Sequence, residues 1–115
     1  MIQLYADLKQ KILEIAEGDE DFYKELTQAI YNGLIELKEV YSQGANEKDD
    51  LKIQQIRHKV KPTLMMFEFQ TLIDELQLGK EIIESVGFNH EFYAHLEKFN
   101  NSLEDAIANT KLLLE

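Results

Sequence analysis

The sequence predicts an all-α protein: an antiparallel four-helix bundle with an additional N-terminal helix, five helices in all. Three features lead to this reading. Apolar residues recur at three- and four-residue intervals along nearly the whole chain, and no segment alternates as a half-buried strand would. Polar capping residues stand where one periodic stretch gives way to the next, with only short segments between them. The chain has 115 residues, 44% of them hydrophobic, with one proline and no low-complexity run or internal repeat, which fits one domain over residues 1–115 with a modest core.

The first helix is expected from about Gln3 to Ala16, with Leu4, Leu8, Ile12 and Ile15 at helical spacing. Gly18 ends it and Asp19 caps the second. The second runs from Glu20 to about Ser42 on a stripe of Phe22, Leu26, Ile30, Gly33, Leu37 and Tyr41. Gly33 falls on that stripe, which points to a close helix approach there. Gly44 reads as the stop of the second helix and Asn46 as the cap of the third, with Glu47, Asp49 and Asp50 favourable in the first turn. The third helix carries Ile53, Ile56, Val60, Leu64 and Phe67, and a break or bend is expected between Pro62 and Phe69. The fourth carries Leu72, Ile73, Leu76 and Ile83 and reaches about Ser85. Gly87 then makes a turn, and Asn89 caps a fifth helix with Phe92, Leu96, Phe99, Leu103 and Ile107 inward.

Composition narrows the function classes. Without cysteine there are no disulfides and no thiolate metal sites, which suits a reducing compartment. The N-terminal residues lack the basic start and apolar run of a signal peptide, and no stretch approaches a membrane span, so a soluble cytoplasmic protein is expected. A formal net charge of -10 argues against general nucleic-acid binding. The charge is uneven, however. From Leu51 to Phe67 there is no acidic residue, while Lys52, Arg57, Lys59 and Lys61 add four positive charges. Such a helix in an acidic protein suggests a site for something anionic.

Of the three histidines, His90 falls in the first turn of the last helix, a solvated position. His95 adjoins an apolar stripe and is expected to be partly buried with its hydrogen bonds met. A di-metal bundle site needs Glu three residues before His on two helices. Here those positions hold Gln55 and Phe92, so no metal is expected. Phosphate-loop and dinucleotide glycine patterns are absent, no Ser or Cys nucleophile has a recognisable setting, and no cofactor is expected. His58 differs from the others. At about 100° per residue it points roughly 150° from the centre of its helix's apolar stripe, so it should stand exposed on a helix otherwise held by the core. Lys61 lies almost one turn ahead on the same side, and Gln54 and Gln55 one turn behind. An exposed imidazole is a good nucleophile near neutral pH, and a neighbouring ammonium would stabilise an anion placed on it.

The run His58-Lys59-Val60-Lys61-Pro62-Thr63-Leu64 resembles the phosphoacceptor motif of histidine phosphotransfer (HPt) domains: His, two variable residues, Lys, Gly, then small residues. The long preceding helix and the Leu-rich helix that follows also agree, and the resemblance spans roughly Leu4 to Glu84. The resemblance implies a non-enzymatic phosphocarrier in a two-component phosphorelay. His58 would take a phosphoryl group from a receiver-domain aspartate and pass it to another receiver, which would supply Mg²⁺. Lys61, and secondly Lys59, would balance the new charge. Leu51, Gln54, Gln55 and Met65 would surround His58 as a docking face, extended by Pro62, Glu68 and Phe69. Two positions depart from the family pattern: Pro62 and Glu68 stand where glycine is usual, four and ten residues after the histidine. The alternative is a helical interaction module that binds a receiver or another signalling protein without transferring phosphate.

Overall fold

The computed structural model describes residues 2–115, with side chains from Asp7 onward. It is all-α. The helices are α1 (Ile2–Ala16), α2 (Glu20–Glu47), α3 (Asp50–Met66), α4 (Gln70–Val86) and α5 (His90–Leu114). No more than three residues separate consecutive helices, so each runs back along its predecessor. α2 packs on α3 and α5, and α4 packs on the same two, which closes a ring of four. α1 lies against α2 and touches α5. Among the described residues, no helix is long and apolar enough to cross a membrane.

Local chemistry sets most helix starts. The Asp19 carboxylate accepts from the Phe22 amide, Asp49 from that of Lys52, and the Asn89 side chain from those of Glu91 and Phe92. Each satisfies a backbone donor that a helix N-terminus leaves open. Asp19 and Asn89 are the expected caps. The junction between α2 and α3 is not where the sequence placed it. α2 continues through Gly44 and ends at Glu47, Lys48 adopts a left-handed φ of 54°, and Asp49 rather than Asn46 caps α3. The reason is space: a Cβ on Gly44 would lie 2.8 Å from Ile53 Cγ1, so this glycine lets α3 fold closely against α2. The expected break in α3 does fall between Pro62 and Phe69, but it is the turn to α4. The helix runs through Pro62 and stops at Met66.

The core joins Leu8, Ile12, Ile30, Leu34, Leu37, Ile53, Ile56, Val60, Leu64, Phe67, Leu72, Leu76 and Leu103 to a ring cluster between α2 and α5. Tyr41 lies 4.8 Å from Phe99 and 6.1 Å from Phe92, centroid to centroid, and His95 stacks on Phe99 at 5.7 Å. The α3 stripe is buried as expected. On α1 the third buried position is Ala16 instead of Ile15, which is exposed, and Leu4 lies outside the described side chains. Phe22 is also exposed, and Thr27 is buried with its hydroxyl donating to the Tyr23 carbonyl one turn back.

Close helix approach depends on Gly79 as well as Gly44, not on Gly33. A Cβ on Gly79 would overlap the Tyr41 hydroxyl and His95 Nε2, whereas one on Gly33 would meet nothing within 4 Å among the described residues. Gly33→Ala should therefore stabilise the bundle by about 0.5–1 kcal/mol, the ordinary gain from removing an unforced glycine inside a helix. Gly79→Ala should cost roughly 1–3 kcal/mol through overpacking. Urea unfolding of both variants checks the contrast.

Candidate functional site

α3 is buried along Ile53, Ile56, Val60 and Leu64, so the opposite side of the same helix must face outward. His58 stands on that outward side and is exposed. Beside it, an open groove of about 600 Å³ runs between α3 and α4. From α3 it is lined by Leu51, Gln54, Gln55, Arg57, His58, Lys61 and Leu64, and from α4 by Ile73, Asp74, Leu76, Gln77 and Lys80. The spacing of residues 51, 54, 58 and 61 keeps one helix face toward the groove.

The groove is electrostatically open to an anion. Lys11, Lys38, Lys52 and Lys59 each contact a carboxylate. Among the described residues Arg57, Lys61 and Lys80 have no carboxylate within ion-pair distance. The one acid lining the groove, Asp74, accepts from Gln70 Nε2 at 2.8 Å. Three cations thus face one carboxylate around an exposed imidazole, above a floor of Leu64, Ile73 and Leu76. Such a surface can hold a phosphate-sized anion near a nucleophilic nitrogen, or cover an amphipathic partner. Among the described residues, no group of three or more His, Asp or Glu side chains could hold a metal ion.

The structure brings together His58, Lys61, Leu51, Gln54 and Gln55, keeps Arg57 of the basic run beside them, and adds residues that the sequence reading did not single out: Lys80, Gln77 and Asp74 from α4. The periodicity of α4 held a signal. Lys80 and Gln77 flank Ile73 and Leu76, so they border the buried stripe on the side facing α3.

Five expected site residues do not line the groove: Lys59, Phe69, Pro62, Met65 and Glu68. Lys59 is on the other side of α3, its Nζ 2.9 Å from Glu36, and it lines a separate shallow groove with Gly33 and Thr63. It is one residue from His58, and one residue turns the side chain by about 100°. Phe69 is 5% exposed and belongs to the core, so it is not available to a partner. α3 has ended before it, and the turn swings its ring inward. Pro62 and Met65 are exposed but do not line the groove, although Met65, at 57%, leaves an apolar side chain in water on the His58 side. Glu68 occupies the turn with a left-handed φ of 56° and lies 3.3 Å from Lys11. Among the other histidines, His90 is exposed. His95 is buried more fully than expected. Its Nε2 shares a 2.9 Å hydrogen bond with the Tyr41 hydroxyl, while its Nδ1 has no hydrogen-bond partner among the described residues.

Truncation separates the surface positions from the core. Met65→Asp should change unfolding free energy by no more than about 0.5 kcal/mol. Phe69→Ala should cost about 3–5 kcal/mol, and Leu64→Asp should abolish cooperative unfolding, all read by circular dichroism in denaturant. No protein-family model, curated protein or solved structure matches the chain.

Proposed function

We propose that the protein is a phosphorelay carrier that accepts a phosphoryl group on His58 from a receiver-domain aspartyl phosphate and passes it to a second receiver, in the cytoplasm. One observation supports this above the rest: an exposed histidine on a core-anchored helix, beside a groove whose cations Arg57, Lys61 and Lys80 have no carboxylate partners among the described residues. Such a residue has both the access and the charge setting that a transient phosphohistidine needs.

In the transfer step a ring nitrogen of His58, Nε2 by the resemblance, forms the N–P bond as the O–P bond to the receiver's aspartate breaks. The electron pair leaves on the aspartate carboxylate, and Nδ1 keeps its proton. The new group carries about -1.5 to -2 charges by analogy with other phosphorylated side chains. Lys61, one turn ahead of the ring, and Lys80, across the groove, are the cations to offset it. The chain contributes a nucleophile and a docking surface, and the reaction's remaining electrostatics come from the receiver.

An interaction module without transfer is the second reading. Two exposed apolar side chains on α3, Leu51 at 62% and Met65 at 57%, favour it, since both gain from being covered by a partner. Glu68 favours it too, because a charged side chain stands where the HPt pattern has glycine.

Incubation with a phosphorylated receiver distinguishes the two readings. Transfer predicts an acid-labile, base-stable label on the chain, absent in His58→Gln and retained in His90→Gln and His95→Gln. Binding without label selects the interaction module. Lys61→Ala should slow the transfer step roughly tenfold, which corresponds to about 1.4 kcal/mol of barrier, while leaving receiver affinity nearly unchanged. Equal transfer rates for variant and parent would remove Lys61 from the mechanism.

A further inference from the structure

Behind the groove, on the inner side of α4, three polar side chains meet in the core. Tyr41 comes from α2, Glu75 from α4 and His95 from α5. The side chains of His95 and Glu75 are 1% and 8% exposed. Tyr41 and His95 share their hydrogen bond at Nε2, and Gly79 of α4 sits directly on it. On the other side of the ring, His95 Nδ1 faces Glu75 Oε2 at 3.6 Å. That is longer than a well-formed hydrogen bond, and neither atom has another partner among the described residues. Two buried polar atoms left facing each other just out of reach are costly, and a well-packed core rarely keeps such a pair.

We propose that Tyr41, His95 and Glu75 form a proton-sensitive pin that sets the seat of α4 on the bundle, and with it the α4 wall of the His58 groove. Glu75 and Gly79, on the inner face of α4, alternate along the helix with Asp74, Leu76, Gln77 and Lys80, which line the groove. A shift of α4 on the pin therefore moves the groove wall. With His95 neutral, the Tyr41 hydroxyl donates to Nε2 and the ring proton on Nδ1 points to Glu75. A second proton changes both sides at once. Nε2 becomes a donor, so the Tyr41 hydroxyl must turn to accept, and Nδ1–H faces Glu75 as half of an ion pair that is complete only if α4 moves inward by a few tenths of an ångström.

The groups around His95 on every packed helix set the sign. Burial depresses the His95 imidazole below its ordinary value, and this is the largest effect. The Glu75 carboxylate on α4 opposes it, first by its charge and then by its hydrogen-bonding approach to the ring, and Lys98 on α5 adds to it. On α2, burial raises the Tyr41 phenol far above its usual range, Arg57 on α3 pulls it down and Glu75 raises it, so Tyr41 stays protonated throughout. A base depressed in the folded state contributes stability that is full above the unfolded value of about 6.5 and is lost as pH falls toward the folded value. The device acts in mildly acidic solution.

The pin needs no phosphoryl transfer, so it can fail independently of the carrier reading. The test is a ¹H–¹³C NMR titration of the histidine rings from pH 8 to 4.5 on the full chain, with His95 assigned as the ring signal that persists in both His58→Gln and His90→Gln. His95 should titrate below 6.5, and the amide signals of Gln77, Gly79 and Lys80 should follow the same midpoint. Glu75→Gln should move that midpoint further down, because the charge that favoured the imidazolium is gone. In His95→Gln the α4 amides should lose this transition. A His95 midpoint at or above 6.5, α4 amides that do not follow it, or a midpoint unmoved by Glu75→Gln would each overturn the proposal. If His95→Gln fails to fold, the parent titration and Glu75→Gln still decide it.

Discussion

The Tyr41–His95 hydrogen bond is made between α2 and α5, out of reach of solvent, at a point where α4 also presses in through Gly79. Three helices are fixed there by one polar contact inside an aromatic cluster. Apolar packing is non-directional and specifies helix register less sharply than a buried polar contact does. A hydrogen bond with a single partner is less forgiving, because any slip leaves a buried hydroxyl and a buried ring nitrogen unsatisfied. The contact therefore acts on register. The placement of α4 beside α3, and so the width of the groove, follows from where Gly79 can seat.

That dependence explains why the outward face of α3 can be so polar. Its buried side needs only Ile53, Ile56, Val60 and Leu64 to hold the helix, and its capping residue Asp49 and its packing on Gly44 fix the end nearest α2. His58, Lys61, Gln54 and Gln55 carry none of that burden, so their identity is free to serve chemistry. The same separation holds on α4, where the inward residues Leu72, Glu75, Leu76 and Gly79 do the packing and Gln77 and Lys80 lie toward the groove.

Much of this was legible in the sequence, and the misses have physical reasons. The five helices follow from periodicity, and Asp19 and Asn89 from capping chemistry, because both are local. His58 could be placed outward because the α3 stripe is unambiguous. Glycine was read less well. Gly44 looks like a stop signal and Gly33 like a packing contact, yet the first is inside a helix for want of space and the second faces open space. A sequence shows that a glycine is permissive but not which neighbour requires it. Glu75 was missed because a carboxylate on an otherwise apolar stripe reads as the stripe's edge, and its partner His95 lies twenty residues away on another helix. Phe69 was misplaced because helical extrapolation from His58 fails once the helix has ended. The α4 half of the groove lay beyond a reading centred on one helix.

The short turns also shape how the chain reaches this structure. α2 with α3, and α4 with α5, are hairpins of neighbours in sequence, and each can form with little loop-closure cost. The seam between α2 and α5 is different: the hydrogen bond that defines it joins residues 54 positions apart. Phe92, His95 and Phe99 already neighbour one another along α5, whereas Tyr41 on α2 meets them only when the two helices dock. Most of the bundle's contacts are close in sequence, which favours fast folding, and the α2–α5 seam carries a large part of the long-range remainder.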